Sequence, residues 1–305
     1  MAVKHFRSAK PLESGALVAL VSPASALQNA DELPRAQENA RTLGWEPVVG
    51  AHASARLAYL AGHDRDRLND INRALRDPKI DAIWCLRGGY GMMRILPGID
   101  YDALSRTPKA IIGYSDITAL HAAVQRKCRL ITYHGPTARE VLTDFSRDSF
   151  QRAVVAQTDS CGVAANAREL NPGAADGRLV GGNLAVLSAL CGTPYMPDLS
   201  DGILILEDTN EPVYRIDRML QQLYLGGALN GCKAIAFGDC TDCKEPAGGG
   251  RSFDDVLGEL AHALGVPCVA GIPVGHIAEQ WTIPLGAMAT LDTASRTLTV
   301  TSYTS

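Results

Sequence analysis

The feature that most constrains this chain is its alternation of short, continuous apolar runs with segments of helical periodicity. Ala16–Ser22, Glu46–Val49, Ala82–Leu86, Lys109–Ile112 and Leu130–Tyr133 each carry too few residues for a helix and read as strands. Between them, Asp31–Leu43, which ends at Gly44, and Asp64–Leu75, which stops before Pro78, have helical spacing, and a further helix is expected from about Ile117 to Gln125. Strands that alternate with helices predict a parallel sheet covered on both faces. The rhythm is lost from about Ser146 to Gly177, and the turn-rich Asn171-Pro172-Gly173 makes that stretch a domain junction. Beyond it, strands are expected at Gly177–Gly181, Ile203–Leu206 and Ala234–Phe237. Helices are expected at Asn183–Cys191, Tyr214–Leu225 and Phe253–Leu264, the last behind Ser252 as N-cap, and a hairpin joins Ala287–Leu291 to Thr297–Ser302. At 305 residues the chain suits two domains. The division drawn is 1–150 for the N-terminal α/β domain, 151–176 for a linker and 177–305 for a C-terminal α+β domain.

A net charge of -4 leaves no basic footprint for nucleic acid or an anionic membrane. No window approaches the roughly 18 apolar residues of a membrane helix, and the first apolar stretch is too short for a secretion signal. A cytoplasmic protein is therefore expected. Of the eight cysteines, Cys85, Cys128, Cys191, Cys232 and Cys268 lie in apolar segments, where thiols act as small core residues. Cys240 and Cys243 form a CxxC, but no second pair or His partner follows at ligand spacing, so no metal or other cofactor is expected.

Ser115 stands where a strand turns into a helix, in Gly113-Tyr114-Ser115-Asp116-Ile117. A serine on such a turn projects its hydroxyl out of the fold. It also sets the N–H of Asp116 at a helix N-terminus, where developing negative charge is favoured. Position 117 lacks the second glycine of a nucleophile elbow, and Ser115 or Asp116 acting only as a helix cap is the competing account. Arg87-Gly88-Gly89-Tyr90-Gly91 ends the preceding strand, at the sheet edge where α/β folds bind ligands. The N–H of Gly88 or Gly89 there could serve as a second oxyanion donor.

A serine nucleophile needs a base and an acid to orient it. Among the seven histidines, His121 reads as a packing residue, whereas His134 follows a strand and His276 sits in a glycine-rich loop. On the residues alone these two are nearly tied. For the acid, Glu207 and Asp208 both end an apolar strand, while Asp217 is bracketed by Arg215 and Arg218 and is expected to pair with them.

Taken in order, these segments resemble the LD-carboxypeptidases (muramoyltetrapeptide carboxypeptidases). The resemblance runs nearly end to end: Val21-Ser22-Pro23-Ala24, Arg87 to Gly91, Gly113 to Thr118, His134-Gly135-Pro136, Gly181 to Leu184, Leu206-Glu207-Asp208, Tyr214 to Arg218, Gly275-His276 and Pro284-Leu285-Gly286. It implies an N-terminal flavodoxin-like parallel-sheet domain and a C-terminal mixed domain of the swivelling β/β/α type. It implies a serine peptidase with catalytic Ser115, Glu207 and His276, and with oxyanion donors on the backbone of Gly88, Gly89 and Asp116. The implied reaction releases terminal D-Ala from murein tetrapeptides during peptidoglycan recycling, in a cytoplasmic homodimer. The substrate carboxylate would need a cation, and Arg87 and Arg139 are both candidates. A microcin-immunity-type amidase of the same fold is the alternative. It would want an aromatic platform for adenine, yet between Ser146 and Gly177 the chain has only Phe150. A non-catalytic sugar or nucleotide binder, or a CxxC redox protein, are readings from other classes.

Overall fold

The computed structural model describes residues 5–243 and 250–304. Its architecture is mixed α/β, with two sheets. The first, 6-stranded, has the order Ile283–Leu285, Thr132–His134, Ala110–Gly113, Ala82–Cys85, Leu17–Val21, Glu46–Val49. Its strands run parallel except Ile283–Leu285, which pairs antiparallel with Thr132–His134 at the edge. Pro284, which cannot donate to a ladder, is tolerated there because the strand has a partner on one side only.

The strand pleat sorts the core. Ala19 and Val21 join Ile83, Cys85 and Ile111 under the helices Asp64–Arg76 and Thr118–Cys128, which contribute Ile71, Leu75, Leu120 and Val124. Val18 and Leu20 face the other way, toward Ala36 and Ala40 of the helix Glu32–Thr42. On that side Trp84 packs 5.0 Å from Phe150 and Trp45 lies 5.9 Å from both rings, centroid to centroid.

The second sheet is 8-stranded, in the order Gly162–Val163, Thr297–Ser302, Met288–Asp292, Ala174–Asn183, Gly202–Thr209, Ala234–Thr241, Cys268–Ala270, Arg168–Asn171. Its centre is parallel and its flanks antiparallel. The helices Val213–Leu225 and Phe253–Leu264 cover one face, the latter opened by a capping box between Ser252 and Asp255. The other face, with Leu179, Ile203, Ile205, Ala236 and Val269, belongs to the same apolar cluster as Trp84 and Phe150. One core thus runs through both sheets.

Three features depart from the expected layout. The helix Asp144–Gln151, inside the stretch where helical rhythm fades, is polar on most positions and buries chiefly Phe150 and two serines. Residues 151–176, expected as a linker, supply Gly162–Val163 and Arg168–Asn171 to opposite edges of the second sheet. Ile283–Leu285, far along the C-terminal half, returns to the first sheet.

Candidate active site

The strand Ala110–Gly113 ends beside a tight turn in which Ser115 has φ of 63°, in the left-handed region that non-glycine residues avoid. A short 3-10 turn over Ser115–Ile117 then leads into the helix Thr118–Cys128. Such a conformation costs on the order of 1–3 kcal/mol and persists only where its surroundings hold it. The holding groups are identifiable. His121 Nε2 lies 2.7 Å from the carbonyl oxygen of Gly113, and the buried carboxylate of Asp116 accepts the N–H of Met92 at 2.8 Å. Burial pushes Asp116 up to about 6, against the pull of the Met92 bond and Arg67.

The loop at Arg87–Gly91 closes on this turn. A Cβ at Gly88 would stand 2.8 Å from Ser115 Cβ and 3.1 Å from Ser115 Oγ, so only glycine lets the two backbones approach. The loop is clamped from the far side by Ser25, whose N–H donates to Gly88 O at 3.1 Å and whose Oγ accepts from Tyr90 N at 3.0 Å. Ser115 itself stays partly exposed.

In the second sheet, consecutive acids at a strand end point to opposite faces. Glu207, with 0% exposure, places Oε2 2.8 Å from His276 Nδ1. Asp208 turns the other way, accepting from Ala185 N at 2.9 Å, Thr209 N at 2.8 Å and Asn183 Nδ2 at 3.2 Å, which ties it to the start of the helix Leu184–Ala189. Burial pushes Asp208 up to about 6 despite these bonds. For His276, burial disfavours the imidazolium, but the hydrogen bond and charge of Glu207, with Glu140 and Asp208 behind, outweigh it and raise its pKa above the usual imidazole value. The loop holding His276 is fixed by Thr241 Oγ1 donating to its carbonyl at 3.1 Å. At Gly275, with φ of 123°, a Cβ would press within 3.2 Å of Glu207 Oε2.

The two halves meet at Tyr114, the residue before Ser115, whose ring centroid lies 4.8 Å from that of His276. His134 lies 6.0 Å from Tyr114 on the ring centroids but is fully buried, pairs with no carboxylate among the described residues and is held neutral, first by burial and then by His121 and His276. His121 is likewise interior, pushed down to about 4 by burial.

One site residue, Glu140, escaped the sequence reading, and Arg139, a candidate for the substrate carboxylate, is already paired. Glu140, half-buried, accepts from Thr137 Oγ1 at 2.8 Å and from the Tyr114 hydroxyl, and desolvation raises its pKa. Arg139 pairs with the buried Glu32 at 2.5 Å. Glu140 lies outside any periodic segment, so no local signal marked it. Asp217 does not pair with its flanking arginines: its partner is Arg251 at 3.7 Å, while Arg215 pairs with Glu211 at 2.9 Å and Arg218 stacks on Tyr214. The i,i+4 spacing of Glu211 and Arg215 sets them one helical turn apart, which Asp217 and its immediate neighbours are not. Cys240 and Cys243 are free thiols that hydrogen-bond to each other, and Cys243 Sγ accepts from Glu211 N at 3.4 Å.

Comparison with known proteins places this geometry. The LD-carboxypeptidase N-terminal domain model matches residues 18–135, and the corresponding C-terminal domain model matches residues 176–291. The chain is 37% identical over 291 residues to a murein tetrapeptide carboxypeptidase of Pseudomonas aeruginosa, covering 90% of this chain and 92% of that one. It is 34% identical over 306 residues to a probable murein peptide carboxypeptidase of Bacillus subtilis, covering 95% and 93%. Among solved structures, a microcin C7 self-immunity protein superposes with a TM-score of 0.87 at 26% identity, over 96% of this chain and 98% of that one. The muramoyltetrapeptide carboxypeptidase of Oxalobacter formigenes superposes with a TM-score of 0.83 at 29% identity, over 93% and 98%.

Proposed function

For a chain that belongs to the LD-carboxypeptidase family over both its domains, we propose release of the terminal D-Ala from murein tetrapeptides by a Ser115–His276–Glu207 triad. The observation that carries this reading is the buried Glu207–His276 bond at 2.8 Å, set against the Tyr114 ring beside the strained Ser115 turn. Glu207 fixes the imidazole tautomer with the proton on Nδ1, which leaves Nε2 free to accept a proton from the serine hydroxyl. The alkoxide attacks the carbonyl of the bond before D-Ala. The N–H groups of Asp116 and of Gly88 or Gly89 receive the oxyanion. His276, now an imidazolium stabilised by Glu207, gives its proton to the departing amine. A water deprotonated by the same nitrogen then hydrolyses the acyl-enzyme. Action on cytoplasmic murein fragments, by a homodimer, completes the reading.

The microcin-immunity-type amidase is the second reading, favoured by the TM-score of 0.87 with a protein of that name. The 37% identity to a murein tetrapeptide carboxypeptidase, against 28% to the Escherichia coli microcin C7 self-immunity protein, ranks the murein substrate first. Mass spectrometry of murein tetrapeptide incubated with the native protein and with Ser115→Ala tests both the substrate and the nucleophile. D-Ala released by the native chain alone is the expected result, and no release by either sinks the proposal.

A further inference from the structure

Beside the candidate nucleophile lies a group of cations with too few anions. Two guanidiniums bind one short segment, Ala26-Leu27-Gln28, and a third, Arg139, reaches it through Glu32. Arg87 donates through Nη1 to Ala26 O, Arg56 donates through Nη2 to Leu27 O, and the N–H of Gln28 donates to Glu32 Oε2 at 2.6 Å. The other oxygen of Glu32 takes Arg139 at 2.5 Å, and the Arg139 carbonyl accepts from Arg35, itself paired with Asp31. Glu140 adjoins Arg139, but its carboxylate is engaged by Thr137 and Tyr114 and disfavoured by burial. Glu32 is thus taken up by Arg139, as Asp31 is by Arg35. Among the described residues neither Arg87 nor Arg56 has a carboxylate partner.

The place of this group matters more than its charge. Arg87 directly precedes Gly88, which abuts Ser115 Oγ, and Ser25, just before the Ala26–Gln28 segment, clamps that same loop. Arg87 is half-buried, and its pKa is lowered, first by burial and then by the charges of Arg139 and Arg56 against the pull of Glu32. Such a guanidinium has lost water and has gained no counter-ion, so an arriving carboxylate restores both the charge balance and the hydrogen bonds.

We propose that Arg87, with Arg56 at its exposed rim, binds the terminal carboxylate of the peptide substrate, while the Arg139–Glu32 pair braces the wall behind it. The inference rests on the peptidase reading above and specifies what makes the enzyme a carboxypeptidase: a free carboxylate one residue beyond the scissile bond. Of the two candidate arginines, Arg139 is already committed to a buried partner and Arg87 is not.

The test uses the full chain in a Ser115→Ala background, where binding is read without turnover. Murein tetrapeptide ending in D-Ala and its C-terminal carboxamide are titrated by calorimetry into this protein and into versions also carrying Arg87→Ala or Arg87→Lys. Acid should bind about 10- to 100-fold tighter than amide, the range of a charged hydrogen bond. That ratio should fall to near one in Arg87→Ala and be partly kept in Arg87→Lys. A ratio near one before any change at Arg87, or an unchanged ratio in Arg87→Ala, overturns the proposal, as does failure of both peptides to bind. If acid preference depends on Arg87 but the chain with Ser115 releases no D-Ala, the carboxylate site stands and the peptidase reading falls.

Discussion

Glu207 and Asp208 are adjacent in one strand yet serve opposite sides of the sheet: Glu207 meets His276 Nδ1 at 2.8 Å, and Asp208 meets the N–H of Ala185 at 2.9 Å. Because Glu207 stabilises the imidazolium, the pKa of His276 is raised, and the base becomes competent only as pH climbs through that raised value. Glu207→Gln removes the carboxylate charge, so the acid limb of the kcat/KM profile should move to lower pH. kcat itself should drop by about 10²- to 10⁴-fold through loss of tautomer control. A pH–rate series of both proteins on murein tetrapeptide checks the pair of effects, and an unmoved acid limb would detach Glu207 from the base.

Asp208→Asn provides the contrast. Its partners are backbone and amide N–H groups at the start of a helix, so the change should cost stability, about 1–2 kcal/mol by denaturant titration, and should lower the acid limb far less than Glu207→Gln does, because Asp208 acts on His276 only through its charge.

The left-handed backbone at Ser115 predicts an uncommon stability order. With φ at 63°, a Cβ is a burden there, whereas glycine adopts the conformation freely. Both Ser115→Ala and Ser115→Gly should abolish turnover, but the glycine variant should be the more stable, by up to about 1 kcal/mol. Thermal unfolding of the two variants side by side decides it; a less stable glycine variant would mean that the turn is not strained.

Between the two histidines, the structure offers a clear separation. His134 is wholly buried with no carboxylate partner among the described residues, and His276 is 23% exposed on its side chain and bonded to Glu207. His276→Gln should cut turnover by 10³-fold or more, the scale of losing a triad member, while His134→Gln should stay within about tenfold of native. The reverse order in a steady-state assay would reassign the base.

Phe150 tests whether the two sheets share one core. It packs on Trp84 at 5.0 Å inside a cluster that also includes Ile203 and Val269 of the second sheet. Phe150→Ala should destabilise the protein by about 3–5 kcal/mol. It should do so in one transition seen alike by circular dichroism and tryptophan fluorescence, and two separated transitions would refute a common core.

Much of this molecule is legible along the chain because its signals are local. Strand runs such as Ala82–Cys85 and helices such as Phe253–Leu264 follow from apolar periodicity and caps within a few residues. The turn at Ser115 is equally local, a glycine between a strand and a helix. What could not be read is whatever depends on contact between distant segments. The helix Asp144–Gln151 has little apolar periodicity, because a single residue, Phe150, anchors it in a core built by other elements. The crossing of Ile283–Leu285 into the first sheet leaves no mark in three residues with a proline at their centre. The residues alone left Glu207 and Asp208 open and only the resemblance named Glu207; strand pleat turns that acid toward His276, and Arg139 meets Glu32 through a pairing across more than a hundred residues. The sequence by itself determined most of the elements and the tight serine turn, since backbone sterics and apolar periodicity act over a few residues. Only the tertiary structure shows that Glu207 and His276, which the residues alone left among alternatives and the resemblance named, meet, and that Arg139 and not Arg87 is paired with a carboxylate among the described residues, because burial and charge pairing are properties of the packed interior.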